Sequence, residues 1–136
     1  MALILDTGIL YAYYDRRDDW HNKAGELMRQ EPGELIVPSP TIPEVDHLLG
    51  KRLGREARAI FYRGLVEGSY FVAELPREGY NRVLELNNQF ADLELGFVDA
   101  AVLVTSEMLD LKRIATTDRR DFEPLQARFN LQLLPE

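Results

Sequence analysis

The chain has 136 residues, of which 46% are hydrophobic and 29% are charged, and its formal net charge is −7. This length and composition fit one globular domain and exclude an intrinsically disordered or fibrous protein. Because the chain has no cysteine, disulfides, thiolate zinc sites and cysteine nucleophiles are also excluded. The negative charge argues against a protein that coats nucleic acid, but not against an enzyme that gathers carboxylates around cations.

Neither a secretion signal nor a membrane span is expected from the sequence. The N-terminal segment MALILDTGIL lacks a basic region followed by a long apolar run. No apolar stretch reaches the roughly 18 residues that a membrane helix needs. We therefore expect a cytoplasmic protein that makes no membrane contact.

The first part of the chain alternates short apolar runs with helical patterns. Residues 3–5 form an apolar run that predicts a buried strand ending at Asp6. Residues 20–28 carry apolar side chains at helical spacing, which predicts a helix. A second strand is predicted over residues 35–37, and the helix that follows it has Glu44 in its first turn.

The same alternation continues to the end of the chain. Asp99 is expected in the first turn of a late helix, and Asp118 is expected directly after the fourth strand. The predicted strands cover residues 70–75, 114–117 and 131–134. Helices are predicted over residues 57–65, from Pro76 to near Asp92, and over residues 96–111.

Short buried strands that alternate with helices predict parallel pairing through right-handed crossovers. We therefore expect an α/β protein: a three-layer α/β/α sandwich whose central parallel sheet has four or five strands. Residues 1–136 are expected to form a single domain, because no repeat, linker or low-complexity segment interrupts them.

Four acidic residues fall where such a fold forms its sites, at strand ends and at the starts of the following helices. They are Asp6, Glu44, Asp99 and Asp118. Carboxylates crowded at one edge of a sheet repel and raise one another's pKa values, so the arrangement favours a cation between them. Hard divalent ions choose oxygen ligands, and they can activate water for hydrolysis of a phosphodiester. The number of ions stays open.

Each acid also has a purely structural interpretation. Asp6 can cap a helix, Glu44 can interact with a helix dipole, and Asp118 can form a turn. Asp121 can cap the last helix. Asp99 favours function, since a charge in the apolar segment GFVDAAVL is costly unless it is paired or bound to a metal.

Other polar and aromatic residues are weaker candidates. His21 and His47 are too few for a histidine metal site. The basic residues of segment 51–58 are typical of a solvated helix face, although they could hold an RNA backbone. The aromatic residues of segment 11–20 could stack on bases, but core packing or a protein interface is their commoner role.

Four segments resemble, in order, the motifs of PIN-domain proteins. The resemblance covers nearly the whole chain, and it is strongest to the VapC toxins of bacterial and archaeal toxin–antitoxin pairs, which are single-domain endoribonucleases. The segments are ILDTGILYAYYDRRDDWH, PSPTIPEVDHLL, ADLELGFVDAAVL and IATTDRRDF.

The resemblance implies that Asp6, Glu44, Asp99 and Asp118 are the catalytic acids. It also implies that Asp6, Asp99 and Asp118 are ligands of Mg2+ or Mn2+. Asp118 is preferred to Asp121 as the fourth acid, although this choice stays open. Further positions that match the family are Thr7, Asp92, Thr116 and Asp121.

The same resemblance implies an RNA substrate, a homodimer and a cognate antitoxin that blocks the cleft. We also expect exposed aromatic side chains near Tyr14 and Trp20 to support the homodimer. The alternatives are a catalytically inactive PIN-like module that binds RNA or protein, and a phosphatase or structure-specific DNA nuclease with the same metal chemistry. The retention of all four acids favours a nuclease, whereas the choice of RNA over DNA depends on the resemblance alone.

Overall fold

Five parallel strands form the centre of the protein in the computed structural model, which describes residues 2–136. The strand order is β3-β2-β1-β4-β5, so the order reverses between the central strand β1 and its neighbour β4. Open α/β sheets form their ligand sites beside the carboxyl ends of strands at such a reversal. The strands are β1 (Ala2–Leu5), β2 (Glu34–Pro38), β3 (Phe71–Ala73), β4 (Arg113–Ala115) and β5 (Gln132–Leu134).

Seven α-helices and one short 3-10 turn connect the described strands. Among residues 2–136, none of these helices combines the length and apolar composition needed to cross a bilayer. The helices are α1 (Thr7–Tyr14), α2 (His21–Gln30), α3 (Thr41–Arg52), α4 (Arg55–Val66), α5 (Arg77–Gln89), α6 (Phe97–Leu109) and α7 (Arg119–Phe129), and the turn is Ala91–Leu93.

Both faces of the sheet are covered by helices. Leu3 and Leu5 of β1 belong to a core shared with α1, α3 and α4, whereas Ile4 belongs to a second core shared with α5, α6 and α7. Covering both faces explains why the strands read as continuous apolar runs and not as alternating ones. The predicted three-layer α/β/α sandwich with a parallel sheet is therefore confirmed, and the sheet has five strands.

Helix α1 was not predicted as an element of its own. Its residues 9–12 are all buried, so it shows no one-sided apolar stripe at helical spacing. The predicted fourth strand was too long at its end, because β4 ends at Ala115 and the chain then turns. In that turn the Asp118 N–H donates to the Thr116 hydroxyl oxygen at 2.9 Å. The predicted end of a helix near Asp92 was also wrong, since α5 ends at Gln89 before the separate 3-10 turn.

The aromatic residues expected on the surface are instead half-buried. The Tyr14 hydroxyl lies 2.5 Å from the Tyr70 hydroxyl, and its ring packs against Phe61 at a centroid distance of 5.9 Å. Trp20 is also only partly exposed. The expectation that the aromatic side chains near these positions are exposed is therefore wrong, whereas the homodimer itself stays a prediction.

Candidate active site

Asp6 lies at the carboxyl end of the central strand and is also the N-cap of α1. Its Oδ1 accepts a hydrogen bond from the Thr7 N–H at 2.8 Å, and its Oδ2 accepts one from the Thr116 hydroxyl at 2.9 Å. The carboxyl group is almost fully buried, and this burial raises its pKa to about 6 even though both hydrogen bonds act to lower it. Asp6 thus has the predicted capping role. Its buried carboxylate, whose ionised form is unfavourable, also lies where the strand order reverses between β1 and β4.

Glu44 lies in the first turn of α3. The Thr7 hydroxyl donates to Glu44 Oε1 at 2.7 Å, which joins the start of α1 to the start of α3. The Glu44 side chain is exposed, in contrast to Asp6. A hydrogen bond across 37 residues therefore brings the second predicted acid to the same edge of the sheet.

Asp99 is a partly buried residue in the first turn of α6. Burial is the main reason why its pKa rises to about 8. The charges of Asp6 and Asp118, and a hydrogen bond with Asp121, raise the pKa further. Asp99 is therefore a partly buried acid whose neighbours are other carboxylates, an environment that is typical of functional sites.

Asp118, not Asp121, is the N-cap of the last helix. The Asp118 Oδ1 accepts a hydrogen bond from the Asp121 N–H at 3.1 Å, so the predicted capping role of Asp121 is wrong. Asp121 is the third residue of α7, and its carboxylate joins those of Asp99 and Asp118 in a group whose ligand oxygens all lie within 4.8 Å of one another. The spacing of a cap and an acid three residues later resembles a capping box, which is a signal in the sequence for this assignment.

An open cavity of about 500 Å³ lies between these acids. Sequence analysis did not identify Gly8 and Thr117 as lining residues. A Cβ atom on Gly8 would lie 2.1 Å from the Thr117 Oγ1, so only glycine allows α1 to approach the segment after β4 this closely. The cavity is lined by Asp6, Thr7, Gly8, Glu44, Asp99, Thr117 and Asp118.

The structure does not bring the remaining candidates to this cavity. Asp92 is exposed in the 3-10 turn, and it neither lines the cavity nor belongs to the group of Asp99, Asp118 and Asp121. His21 Nδ1 lies 2.8 Å from the carbonyl oxygen of Ala12. His47 is exposed on α3, so both histidines lie outside the site, as expected.

The donor set fits a hard divalent cation. The raised pKa values of Asp6, Asp99 and Asp118 each have burial as their largest cause and a neighbouring acid among the others. A cation among these oxygens would remove the repulsion and the cost of burial together. Carboxylates that converge on an open cavity at a strand end can therefore hold an ion beside a phosphate-bearing substrate.

Comparison with known proteins gives consistent matches. Residues 3–126 match the PIN domain family. The chain is 27% identical to the ribonuclease VapC26 of Mycobacterium tuberculosis over 124 residues. The aligned region covers 91% of this chain and 92% of that protein.

Solved structures share the fold at lower identity. The VapC20 toxin of M. tuberculosis, described as cleaving the sarcin–ricin loop, has a TM-score of 0.77 and 19% identity over 82% of this chain and 86% of that one. A toxin–antitoxin complex from Klebsiella pneumoniae has a TM-score of 0.70 and 19% identity over 88% and 89%. VapBC2 of Rickettsia felis, bound to a DNA fragment from its promoter, has a TM-score of 0.71 and 15% identity over 98% and 97%.

Proposed function

This chain belongs to the PIN-domain family, and from that premise we propose that it is a metal-dependent endoribonuclease, the toxin of a type II toxin–antitoxin pair. The observation that carries the proposal is the convergence of Asp6, Glu44, Asp99 and Asp118 on one open cavity. The ribonuclease VapC26 and the solved toxin–antitoxin complexes support the choice of RNA and of an antitoxin partner. RNA as substrate also suits the cytoplasmic location expected from the sequence.

Asp6, Asp99 and Asp118 would hold Mg2+ or Mn2+, with Asp121 as a fourth nearby carboxylate. A divalent cation bound there would activate water and neutralise the negative charge that develops on the phosphodiester during hydrolysis. The two hydrogen bonds to Asp6 fix the orientation of its carboxylate, and Thr116 acts through this contact as a positioning residue.

Glu44 would act on the proton of the attacking water. Its Oε1 accepts the hydrogen bond from Thr7, whereas its Oε2 has no hydrogen-bond partner among residues 2–136. This free oxygen belongs to an exposed side chain that lines the cavity, so it is available to accept a proton without loss of the contact that positions the residue.

Substitutions at Asp118 and Asp121 separate the roles of charge and capping. Asn caps a helix about as well as Asp, so Asp118→Asn should keep the fold and lose most RNA cleavage. Asp118→Ala should lose the same activity and also about 0.5 to 2 kcal/mol of stability, because it removes the cap. Asp121→Asn should reduce cleavage by about 10- to 100-fold, the range expected for a residue that supports ligands, with the cap intact.

Initial cleavage rates and thermal melts of the three variants measure these effects. If Asp121→Asn abolishes cleavage while Asp118→Asn retains it, the ligand set must be redrawn around Asp121. If Asp118→Ala melts at the same temperature as Asp118→Asn, the capping role of Asp118 is wrong.

A homodimer is the assembly that best suits an exposed apolar face on α5 and α6. The Tyr80 and Phe97 rings stack there at a centroid distance of 6.1 Å, and both side chains are about half exposed. Leu84 of α5 and Met108 of α6 are also exposed, with 57% and 47% of their surface accessible. Large apolar side chains exposed on two neighbouring helices are typical of a protein interface.

Expression in a bacterial host tests the assignment as a toxin. We expect induction to arrest growth, and co-expression of the product of a small neighbouring gene to relieve the arrest. Sequencing the ends of the cleaved RNA would identify the target, and Asp6→Asn should abolish both arrest and cleavage. Harmless expression of the intact chain, or a monomer at micromolar concentration, would count against the proposed toxin and its homodimer respectively.

A further inference from the structure

Trp20 lies beside two basic side chains at the start of α2. Lys23 Nζ is 5.5 Å and Arg119 Cζ is 5.7 Å from the centre of the indole ring. The backbone N–H of Trp20 donates to Asp18 Oδ1 at 2.8 Å, which fixes the loop before the helix. The Arg119 guanidinium donates to the carbonyl oxygen of Pro135. An aromatic ring and two cations are therefore held together at the surface of the molecule.

The two cations are not neutralised by ion pairs. Within residues 2–136 the salt bridges involve Arg58, Arg82 and Arg113, and none involves Lys23 or Arg119. In the basic segment 51–58, by contrast, Arg58 binds Asp46 through two hydrogen bonds. Lys23 and Arg119 are thus better placed than Arg58 to contact phosphates.

This group is connected to the active site through two consecutive arginines. Arg119 and Arg120 directly follow Asp118, in the first turn of α7. Arg119 extends towards Trp20, whereas the charge of Arg120 acts on the Asp118 carboxylate. A strand that crosses this turn would pass from the aromatic ring to the carboxylate cavity.

We propose that Trp20, Lys23 and Arg119 form a subsite for single-stranded RNA next to the active site, which rests on the proposed ribonuclease function. A base stacks on the indole ring, and the phosphates on either side of it contact the two cations. Because Lys23 is exposed, its ammonium group can leave the ring when the base arrives and contact a flanking phosphate. The subsite gives a locally cationic path on a chain of net charge −7.

Trp20 is the single tryptophan of the chain, so its fluorescence reports directly on stacking. With Mg2+ present, a short unstructured RNA should quench this fluorescence in the Asp6→Asn variant, which is expected not to cleave it. In Mg2+, Trp20→Ala should raise the KM for RNA cleavage about tenfold, the effect of losing one stacked base, with kcat little changed. Trp20→Phe should restore most of the affinity, because it keeps an aromatic face.

Lys23→Gln should raise KM and weaken the dependence of binding on salt, since it removes one phosphate contact. Arg128→Gln is its matched control: Arg128 also lies over an aromatic ring, 5.1 Å from the centre of Phe90, but at the opposite end of α7. Phe71→Ala controls for loss of an exposed aromatic side chain, on the edge strand β3. Both controls should leave KM unchanged.

An unchanged KM in both Trp20→Phe and Trp20→Ala, together with an unchanged KM in Lys23→Gln, would overturn the subsite while leaving the ribonuclease intact. If Trp20→Ala fails to fold, Lys23→Gln and the quenching of Trp20 fluorescence in Asp6→Asn still test the subsite. Absence of any cleavage by the wild type in Mg2+ or Mn2+ would instead refute the proposed function. The absence of fluorescence quenching by RNA would by itself overturn the stacking role of Trp20.

Discussion

Replacing Asp99 with Asn is expected to reduce RNA cleavage by more than about 100-fold and, in the metal-free protein, to raise the melting temperature. Even residues that only support metal ligands cost about 10- to 100-fold when they are changed, so a ligand should cost more. The gain in stability has a separate cause. Burial and the charges of Asp6, Asp118 and Asp121 make the ionised form of Asp99 unfavourable, and Asn cannot ionise.

The gain in melting temperature of Asp99→Asn should increase as the pH rises. The pKa of Asp99 is raised from 3.8 to about 8 in the folded protein. A group whose pKa rises on folding contributes stability that is present at acidic pH and is lost as the pH rises through the folded value. The wild type should therefore lose stability between about pH 4 and pH 8 relative to Asp99→Asn, and the difference in melting temperature should be small at pH 5 and larger at pH 8.5.

Thermal melts of the two proteins in EDTA, at both pH values, measure this difference. Excess Mn2+ should stabilise the wild type at pH 8.5 and should stabilise Asp99→Asn less, because ligands stabilise only the folded state that binds them. Equal stabilisation of both proteins by Mn2+ would exclude Asp99 as a ligand. A lower melting temperature of the variant at pH 8.5 in EDTA would show that Asp99 is a structural residue.

The fold could be predicted largely from the placement of apolar residues. The runs at residues 3–5 and 35–37 predicted strands β1 and β2, because strands covered on both faces have no polar side to interrupt the pattern. The placement of apolar residues did not predict α1. A helix that is buried on most of its surface has no polar face either, so periodicity could not distinguish it from the loop after Asp6.

The acids at strand ends and helix starts could also be predicted, since position in a parallel α/β fold limits where side chains converge. The residues that contact these acids could not be predicted in the same way. The hydrogen bond from Thr116 to Asp6 joins residues 110 positions apart, and the sequence suggested Thr116 only through its resemblance to a family. Gly8 and Thr117 approach each other through tertiary packing, which neither the composition nor the spacing of residues predicts.

The order of Asp118 and Asp121 shows a further limit. The sequence placed Asp118 directly after a strand and Asp121 at the cap, but the strand ends earlier and Asp118 itself caps α7. The turn between β4 and α7 thus decides which of the two carboxylates caps the helix and which lies inside it. The carboxylates of Asp118 and Asp121 both lie next to that of Asp99. Substitution is therefore needed to tell which of the two binds the metal ion.

Removal of divalent cations is expected to abolish RNA cleavage altogether. The cavity offers carboxylate and hydroxyl oxygens, and its lining residues include no histidine, lysine or arginine. Without a cation, its acids would repel a phosphodiester and would not activate water strongly. We therefore expect activity to follow the occupancy of the carboxylate site by Mg2+ or Mn2+.

The most direct test is the rate of RNA cleavage by the purified protein, free of any partner, in EDTA and after Mg2+ or Mn2+ is added back. Asp99→Asn, purified in the same way, controls for a contaminating ribonuclease. We expect no cleavage in EDTA, recovery with either ion, and almost no cleavage by Asp99→Asn under any condition. Cleavage by the wild type that persists in EDTA but is lost in Asp99→Asn would contradict the metal-dependent mechanism, because the same residues would then act without a metal ion.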